Sequence, residues 1–477
     1  MNRTGIFLAA AGVLALIAVV AGLPRHGTEP TATAVVTTTT TTVAQPTVAS
    51  NGSLTMTARL SHPYVGTGRS DVFVTVDLVG ADVPGATRSP VNLALVIDRS
   101  GSMSGFKLNE AKQAARHLVS QLKASDRLAI VHYGSDVKSM DGLFATEENK
   151  DRMLQYIEGI WDDGGTNIGA GLTVGRDLLL KTKSDFKVNR MVLISDGQPT
   201  EGITEHGGLL DIVREIRSHG IGVSSIGVGE DFNENLMSAF AELGGGAYAY
   251  LQDASQLSAI FQRDLNAAGT QVARGVTLTF KAPRGAQLEE VLGYQPSARG
   301  LSNGEDQVTV SLPDFAAGQR ERVVVHFTVD GAVPGQAVDV SGLSLDYTDL
   351  LADRGVRADA RLSAMVTARQ EEIAANRDKD AIVFAARARS AQNMEKANDA
   401  LRAGDKAKAE QLMQQNAFYF EEAAQVAGAP AVAADVQEQK QLRDDLRNAN
   451  DEGAINTYSK GAQKKARVNY GLMGSTY

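Results

Sequence analysis

Asp98, Ser100 and Ser102 follow one another as D-x-S-x-S directly beyond Val91-Asn92-Leu93-Ala94-Leu95-Val96-Ile97, an apolar run that reads as a strand buried on both faces. One carboxylate and two hydroxyls at that spacing offer three hard oxygens from a single loop, a donor set suited to a small divalent cation such as magnesium. In open α/β sheets the crevice outside the carboxyl ends of the strands is where loops converge on a ligand, and the motif stands at such an end. Two later segments add oxygen at the same edge: Asp162-Asp163-Gly164-Gly165-Thr166-Asn167, and Arg190-Met191-Val192-Leu193-Ile194-Ser195-Asp196-Gly197, a second apolar strand that ends in an acid. Taken singly, Ser100 or Ser102 is more often a helix N-cap than a ligand, and Asp162 and Asp163 are turn formers in a glycine-bearing loop. The joint pattern favours a magnesium-dependent binding surface. Trp161, the only tryptophan, is expected to pack in the core or against a loop.

With these three segments in this order, the chain resembles the von Willebrand factor type A domain and its metal-ion-dependent adhesion site, whose motif is D-x-S-x-S followed by a threonine and an aspartate in two later loops. Asp98, Ser100, Ser102, Thr166 and Asp196 match all five positions. The resemblance implies that Ser100 and Ser102 coordinate directly, that Thr166 does so in the ligand-competent state, and that Asp98 and Asp196 act largely through bound waters. It also implies magnesium, or manganese in its place, with one coordination position left for an Asp or Glu of a partner protein. Adhesion-type protein binding is the leading expectation. The alternative is an assembly or quality-control factor of the cell envelope that uses the A domain and a helical hairpin as scaffold.

A metal-dependent enzyme ranks third behind these two readings, because the enzyme classes lack their motifs. Met103 stands at the centre of Gly101-Ser102-Met103-Ser104-Gly105, so the hydrolase elbow G-x-S-x-G is absent. Phe232 stands where a dinucleotide fingerprint opened by Gly227-Val228-Gly229 needs its third glycine, and there is neither a phosphate-binding Gly-Lys-Ser/Thr loop nor an H-E-x-x-H. A net charge of -9 argues against a nucleic-acid partner, and the lack of cysteine removes disulfides, thiolate metal sites and cysteine nucleophiles together. At 477 residues the chain holds two or three domains.

The elements that must position the motif alternate helix and strand over residues 90–268, as a doubly wound, mostly parallel α/β sheet of Rossmann-like type requires. Phe106, Ala111, Ala115, Leu118 and Leu122 recur near helical spacing, followed by the strand Arg127 to Tyr133. The helix Ile168 to Leu180, the strand Arg190 to Ser195, the helix Leu209 to His219 and the strand Ile221 to Gly227 complete the series, closed by an edge strand over Gly244 to Leu251. Residues 53–89 and 269–367 are strand-like, so the α/β domain is expected as an insertion in one β-sandwich. Val72, Val74, Val76 and Leu78 would share a face of that sandwich. Residues 368–450 turn rich in Ala, Glu, Lys, Arg and Gln. Two helices, about Gln370 to Ala403 and Lys406 to Ala427, would meet at Gly404-Asp405 as a hairpin, with Pro430 before a third. Residues 451–477 carry Lys464-Lys465-Ala466-Arg467 and read as a solvated basic tail.

Residues 1–24 hold the uncharged apolar stretch Ile6 to Leu23, preceded by Arg3, and read as a signal peptide or an uncleaved single-span anchor. Residues 25–52, with the run Thr37 to Thr42, read as a disordered tether. The expected location is the cell envelope of a bacterium, outside the cytoplasm, with membrane contact through the N-terminal segment only.

Overall fold

The computed structural model describes residues 34–37, 46–84, 88–229, 232–251, 270–302 and 304–471. Strands β1 (Ala34–Thr37), β2 (Thr47–Ser50), β3 (Leu54–Leu60), β4 (Tyr64–Val65) and β5 (Gly68–Gly80) come first. An alternating segment follows: β6 (Val91–Asp98), α1 (Phe106–Gln121), β7 (Arg127–Tyr133), β8 (Val137–Phe144), α2 (Glu147–Glu158), α3 (Ile168–Leu180), β9 (Val188–Ser195), α4 (His206–Ser218), β10 (Ile221–Val228), α5 (Glu234–Gly244) and β11 (Gly245–Leu251). Its strands lie in the order β11-β10-β9-β6-β7-β8, parallel throughout except for the final β7–β8 pair.

Every residue of β6, β7, β9 and β10 is buried, and β6 shows why its run is continuously apolar. Leu93, Leu95 and Ile97 face the layer that holds Leu108, Ala111, Ala115 and Leu118 of α1, while Ala94 and Val96 face Ile168 and Leu172 of α3 and Val213 of α4. Alternate residues of a strand point to opposite faces, so a sheet covered by helices on both sides needs both sets apolar.

Strands β12 (Gln271–Ala282), β13 (Ala286–Leu292), β14 (Ala298–Ser302), β15 (Glu305–Ser311), β16 (Phe315–Ala316), β17 (Arg320–Gly331), β18 (Ala337–Asp349) and β19 (Arg354–Val366) follow. One sheet runs β13-β17-β5-β3-β2; the other runs β1-β19-β18-β12-β15-β14, with β4 also on β19 and β16 on β12. β17 pairs antiparallel with β5 from Arg320 opposite Val79 to Gly331 opposite Gly68, so chain from both sides of the α/β segment builds one sheet. Val72, Val74, Val76 and Leu78 are fully buried and share a core with Leu278, Phe280 and Leu345 of the other sheet. The α/β sheet is thus inserted in a sandwich, as the fold class requires.

Five helices end the described chain: α6 (Gln370–Ala375), α7 (Lys379–Arg402), α8 (Lys406–Ala427), α9 (Ala433–Asn448) and α10 (Glu452–Tyr470). α7 and α8 form the hairpin, with Gly404 at φ +83° and the Asp405 side chain accepting the Lys408 N–H at 3.0 Å. Ala385, Ala388, Ala391, Met394 and Ala397 of α7 join the sandwich core, the small side chains letting the helix seat closely.

Four expectations change. The helix expected over Gln370 to Ala403 is broken between Ala375 and Lys379, where the Asp378 side chain accepts the Ala381 N–H at 2.9 Å and caps a new start. Part of residues 25–52 is strand, not tether: β2 pairs with β3 and β1 with β19, because edges of both sheets stand open to them. The expected basic tail contains α10, with Tyr458, Ala462, Ala466 and Tyr470 buried. Its cations meet acids from distant elements, Lys465 pairing with Glu438 and Arg467 with Glu242, so no neighbour in sequence reveals them. Trp161 is 74 % exposed, with the Lys112 ammonium 5.0 Å from its ring centroid, and packs in no core. The apolar stretch Ile6 to Leu23 lies outside the described residues, among which no helix is long and apolar enough to cross a membrane.

Candidate functional site

Asp98 ends β6 at the centre of the sheet, opposite Tyr133 at the end of β7. Three donors hold its fully buried carboxylate: the Ser100 N–H to Oδ1 at 2.9 Å, and the Ser195 and Tyr133 hydroxyls to Oδ2 at 2.7 and 3.2 Å. Burial pushes this carboxyl up to about 6 and the charge of Asp196 adds to the rise, while the hydrogen bonds from Ser100 and Ser195 oppose it. Ser100 is buried and Ser102 exposed, and their hydroxyl oxygens stand 3.1 Å apart. The turn that follows Ser100 aims both hydroxyls at one point instead of spending either on a helix cap: neither the short turn Gly101–Met103 nor α1 has a side-chain N-cap bond.

Backbone hydrogen bonds stitch the second loop to the first and the third loop to the second. The Gly101 N–H donates to the Gly164 carbonyl at 3.0 Å, and the Asp163 N–H to the Arg99 carbonyl at 2.8 Å. The Thr166 carbonyl accepts from the N–H groups of Thr200 and Glu201, at 3.0 and 3.2 Å, and its own N–H donates to Thr200 Oγ1 at 2.9 Å. Gly164 adopts φ +77°, and a Cβ on Gly134 would stand 2.2 Å from the Asp163 carbonyl oxygen, so these glycines permit the close passage of the loops. Asp98 at the end of β6 and Ser100, Ser102, Thr166 and Asp196 on the loops are therefore gathered at the carboxyl ends of the central strands.

Asp196 is fully buried. Its Oδ2 lies 3.3 Å from Lys107 Nζ, and its Oδ1 is buried with no hydrogen-bond partner among the described residues. A buried carboxylate oxygen without a donor is costly unless a cation satisfies it, and two hydroxyls with two carboxylates make a hard-oxygen set that fits magnesium or manganese. Among the described residues no group of three His, Cys, Asp or Glu side chains is placed to hold a metal, so any ion here must draw on hydroxyls. Asp162 and Asp163 are exposed; Asp163 stands 3.7 Å from the buried Arg99 guanidinium, a partner that keeps it beside the site as a loop clamp.

Ser195, Tyr133 and Lys107 were not singled out by sequence. Ser195 directly precedes the third-loop aspartate, a signal that could have found it. Tyr133 reaches Asp98 only through the parallel β6–β7 register, which no local pattern encodes.

Residues 92–263 match the profile of the von Willebrand factor type A domain. The chain carries a von Willebrand factor type A domain. It is 27 % identical over 263 residues to the uncharacterized protein YfbK of Escherichia coli (strain K12), covering 54 % of this chain and 45 % of that protein. It is 30 % identical over 191 residues to inter-alpha-trypsin inhibitor heavy chain H1 of Sus scrofa, covering 38 % of this chain and 21 % of that one. The chain thus spans less than half the length of either relative. The von Willebrand factor type A structure from Catenulispora acidiphila shares the fold across domains, with TM-score 0.63, 15 % identity, and 86 % of this chain and 95 % of that chain covered. The ArnB paralog VWA2 from Sulfolobus acidocaldarius does so at TM-score 0.54 and 18 % identity, covering 88 % and 99 %. The likeness to these two extends past the A domain into the sandwich and helices.

Proposed function

We propose that this chain is a non-enzymatic protein-binding molecule whose A domain holds magnesium, or manganese, and engages an Asp or Glu of a partner protein. The observation that carries this reading is the paired hydroxyls of Ser100 and Ser102 together with the buried Asp196 Oδ1, which has no partner among the described residues, on loops bonded to one another at the strand ends. Ser100, Ser102 and Thr166 would hold the ion, with Asp98 and Asp196 behind them. Asp98 acts on position as well: it fixes the Ser100 backbone and is itself fixed by Ser195 and Tyr133, so protein groups hold the first loop in place. The bound ion supplies a positive centre that a carboxylate can ligate. Neutral hydroxyl donors leave that centre electrophilic, which favours an anionic partner.

We further infer an extracytoplasmic place in a bacterial cell envelope, on the apolar segment Ile6 to Leu23. The test is a pull-down from envelope extract with the full chain, in magnesium and in chelator, beside the Ser100→Ala, Ser102→Ala double variant. Retention of one partner in magnesium only, lost in the double variant, is expected. Equal retention by both proteins in chelator would move the interaction to the sandwich or helices.

A further inference from the structure

A second cleft opens where the α/β domain, the sandwich and the helical region meet, with a volume of about 410 Å³. Glu234 comes from α5, Glu290 from β13, Glu395, Asn398 and Asp399 from α7, and Gln463 from α10. Arg467, the one basic side chain of its wall among the described residues, is bonded to Glu242 at 2.8 Å. The wall therefore carries an excess of carboxylates.

The second observation is the state of the acceptors. Asn398 is 1 % exposed, faces the cleft, and its Oδ1 has no hydrogen-bond partner among the described residues. Glu234 Oε2 and Gln463 Oε1, from two other elements of the same wall, are likewise buried and partnerless. Three acceptors from three helices, left unsatisfied around one space, call for a ligand rich in donors. Burial raises the carboxyls of Glu234 and Glu395 above the ordinary range; the Tyr248 hydroxyl and the charges of Arg467, Arg402 and Lys460 pull Glu234 down, and the Tyr470 hydroxyl pulls Glu395 down, by less than burial lifts them. Neither acid forms an ion pair within the described residues, and the Tyr470 hydroxyl, at 2.7 Å from Glu395 Oε2, leaves that carboxylate acceptor capacity to spare.

We propose that this cleft binds a small organic cation with several N–H donors, an ammonium or guanidinium compound, held by Glu234, Glu395, Asn398 and Gln463. A metal ion fits less well, because no three carboxylates among the described residues converge to ligate one. An ammonium or guanidinium group suits acceptors spread over three elements, since each N–H can reach a different oxygen. The cleft is separate from the proposed magnesium site and the inference does not depend on it.

Calorimetric titration of the full chain in chelator, with spermidine, agmatine, a capped arginyl peptide and sodium chloride as the ionic-strength control, tests this. One of the organic cations is expected to bind with saturable heat at one equivalent where sodium chloride does not. Binding by the peptide alone supports the chemistry and names a partner protein's side chain as its source. The Glu234→Gln and Glu395→Gln variants are each expected to weaken binding about tenfold or more, the scale of a hydrogen bond to a charged group. Both substitutions keep size and an acceptor oxygen, so the Tyr470 hydroxyl that donates to Glu395 at 2.7 Å still has a partner and the melting temperature without ligand should not fall. Gln463→Glu, which places a carboxylate where a partnerless amide oxygen stands, should tighten binding. Absence of saturable binding by all three probes, or equal affinities in wild type and the two Glu→Gln variants, would overturn the proposal.

Discussion

At the level of single residues, Asp98 carries two duties that can be separated. Thr166→Ala removes only a proposed ligand, so it should abolish the rise in melting temperature with magnesium, a gain of about 2.7 kcal/mol when the ion is at a hundred times its dissociation constant. Circular dichroism should stay intact. Asp98→Ala should abolish the same increment and also lower stability in chelator, because the Ser195 and Tyr133 hydroxyls lose their acceptor in a buried place, at about 1–3 kcal/mol for each group left unpaired. Urea unfolding of both variants in chelator reads the difference; equal stability would show that the hydroxyls find other partners. Histidines give a second residue-scale expectation. Burial, assisted by Arg377 for His62 and by Arg99 and Lys138 for His132, lowers both imidazoles to about 4. The folded state then refuses protons that the unfolded chain accepts below about 6.5, so this contribution to stability is present at neutral pH, declines from pH 6.5 toward 4, and is level below that. Asp98, raised to about 6, works in the opposite direction over part of this window. The difference between wild type and His62→Gln or His132→Gln cancels the Asp98 contribution, and each variant should show a flatter acid limb in urea unfolding between pH 7 and 4.

Among elements, the joint between α4 and the sandwich turns on one ion pair, between the part-buried Arg217 and the buried Asp314. Arg217 donates two hydrogen bonds to Asp314, which also accepts the Gly275 N–H at 3.1 Å and a Gln271 amide hydrogen bond at 3.3 Å. Burial alone would raise the Asp314 carboxyl; the guanidinium beside it overrides that and leaves it lowered. Replacing Asp314 by Asn leaves the part-buried Arg217 without its counter-charge and should cost up to about 3–5 kcal/mol, measured as a shift of the urea midpoint. A change under about 1 kcal/mol would show that water reaches the joint and screens it. The C-terminal helix is a similar device: Tyr458, Ala462 and Ala466 of α10 sit in the same apolar cluster as the sandwich, so chain ended after Asn450 should bare that surface.

For the whole molecule, the insertion sets what can be cut. β17 pairs along its length with β5, which precedes the A domain in sequence. A fragment over residues 91–367 lacks β3 and β5 and bares an edge of β17, so it should aggregate. A fragment over 91–268 keeps the apolar layers on both faces of the six-stranded sheet and should fold alone. Light scattering and thermal unfolding of the two fragments check this; a monodisperse 91–367 would contradict the shared sandwich. The same wrapping explains how the second cleft arises, since α5, β13, α7 and α10 come together only after the chain has returned from the insertion.

The five motif positions, the continuous apolar strands behind them and the hairpin at Gly404-Asp405 were legible in sequence because each depends on local chemistry: strand period, loop residue type, a helix stop and its cap. Ser195 stands next to a motif aspartate and so was open to local reading, but nothing local could show Tyr133 reaching Asp98, since strand register is settled by packing across the sheet. For the same reason the basic stretch around Lys465 and Arg467 looked solvated, its acids being Glu438 and Glu242 on other helices. Residue types and their periods determined which chemistry is available and which elements carry it. Long-range burial decided which charges are paired, which acceptors lack partners, and therefore where a second ligand has reason to bind.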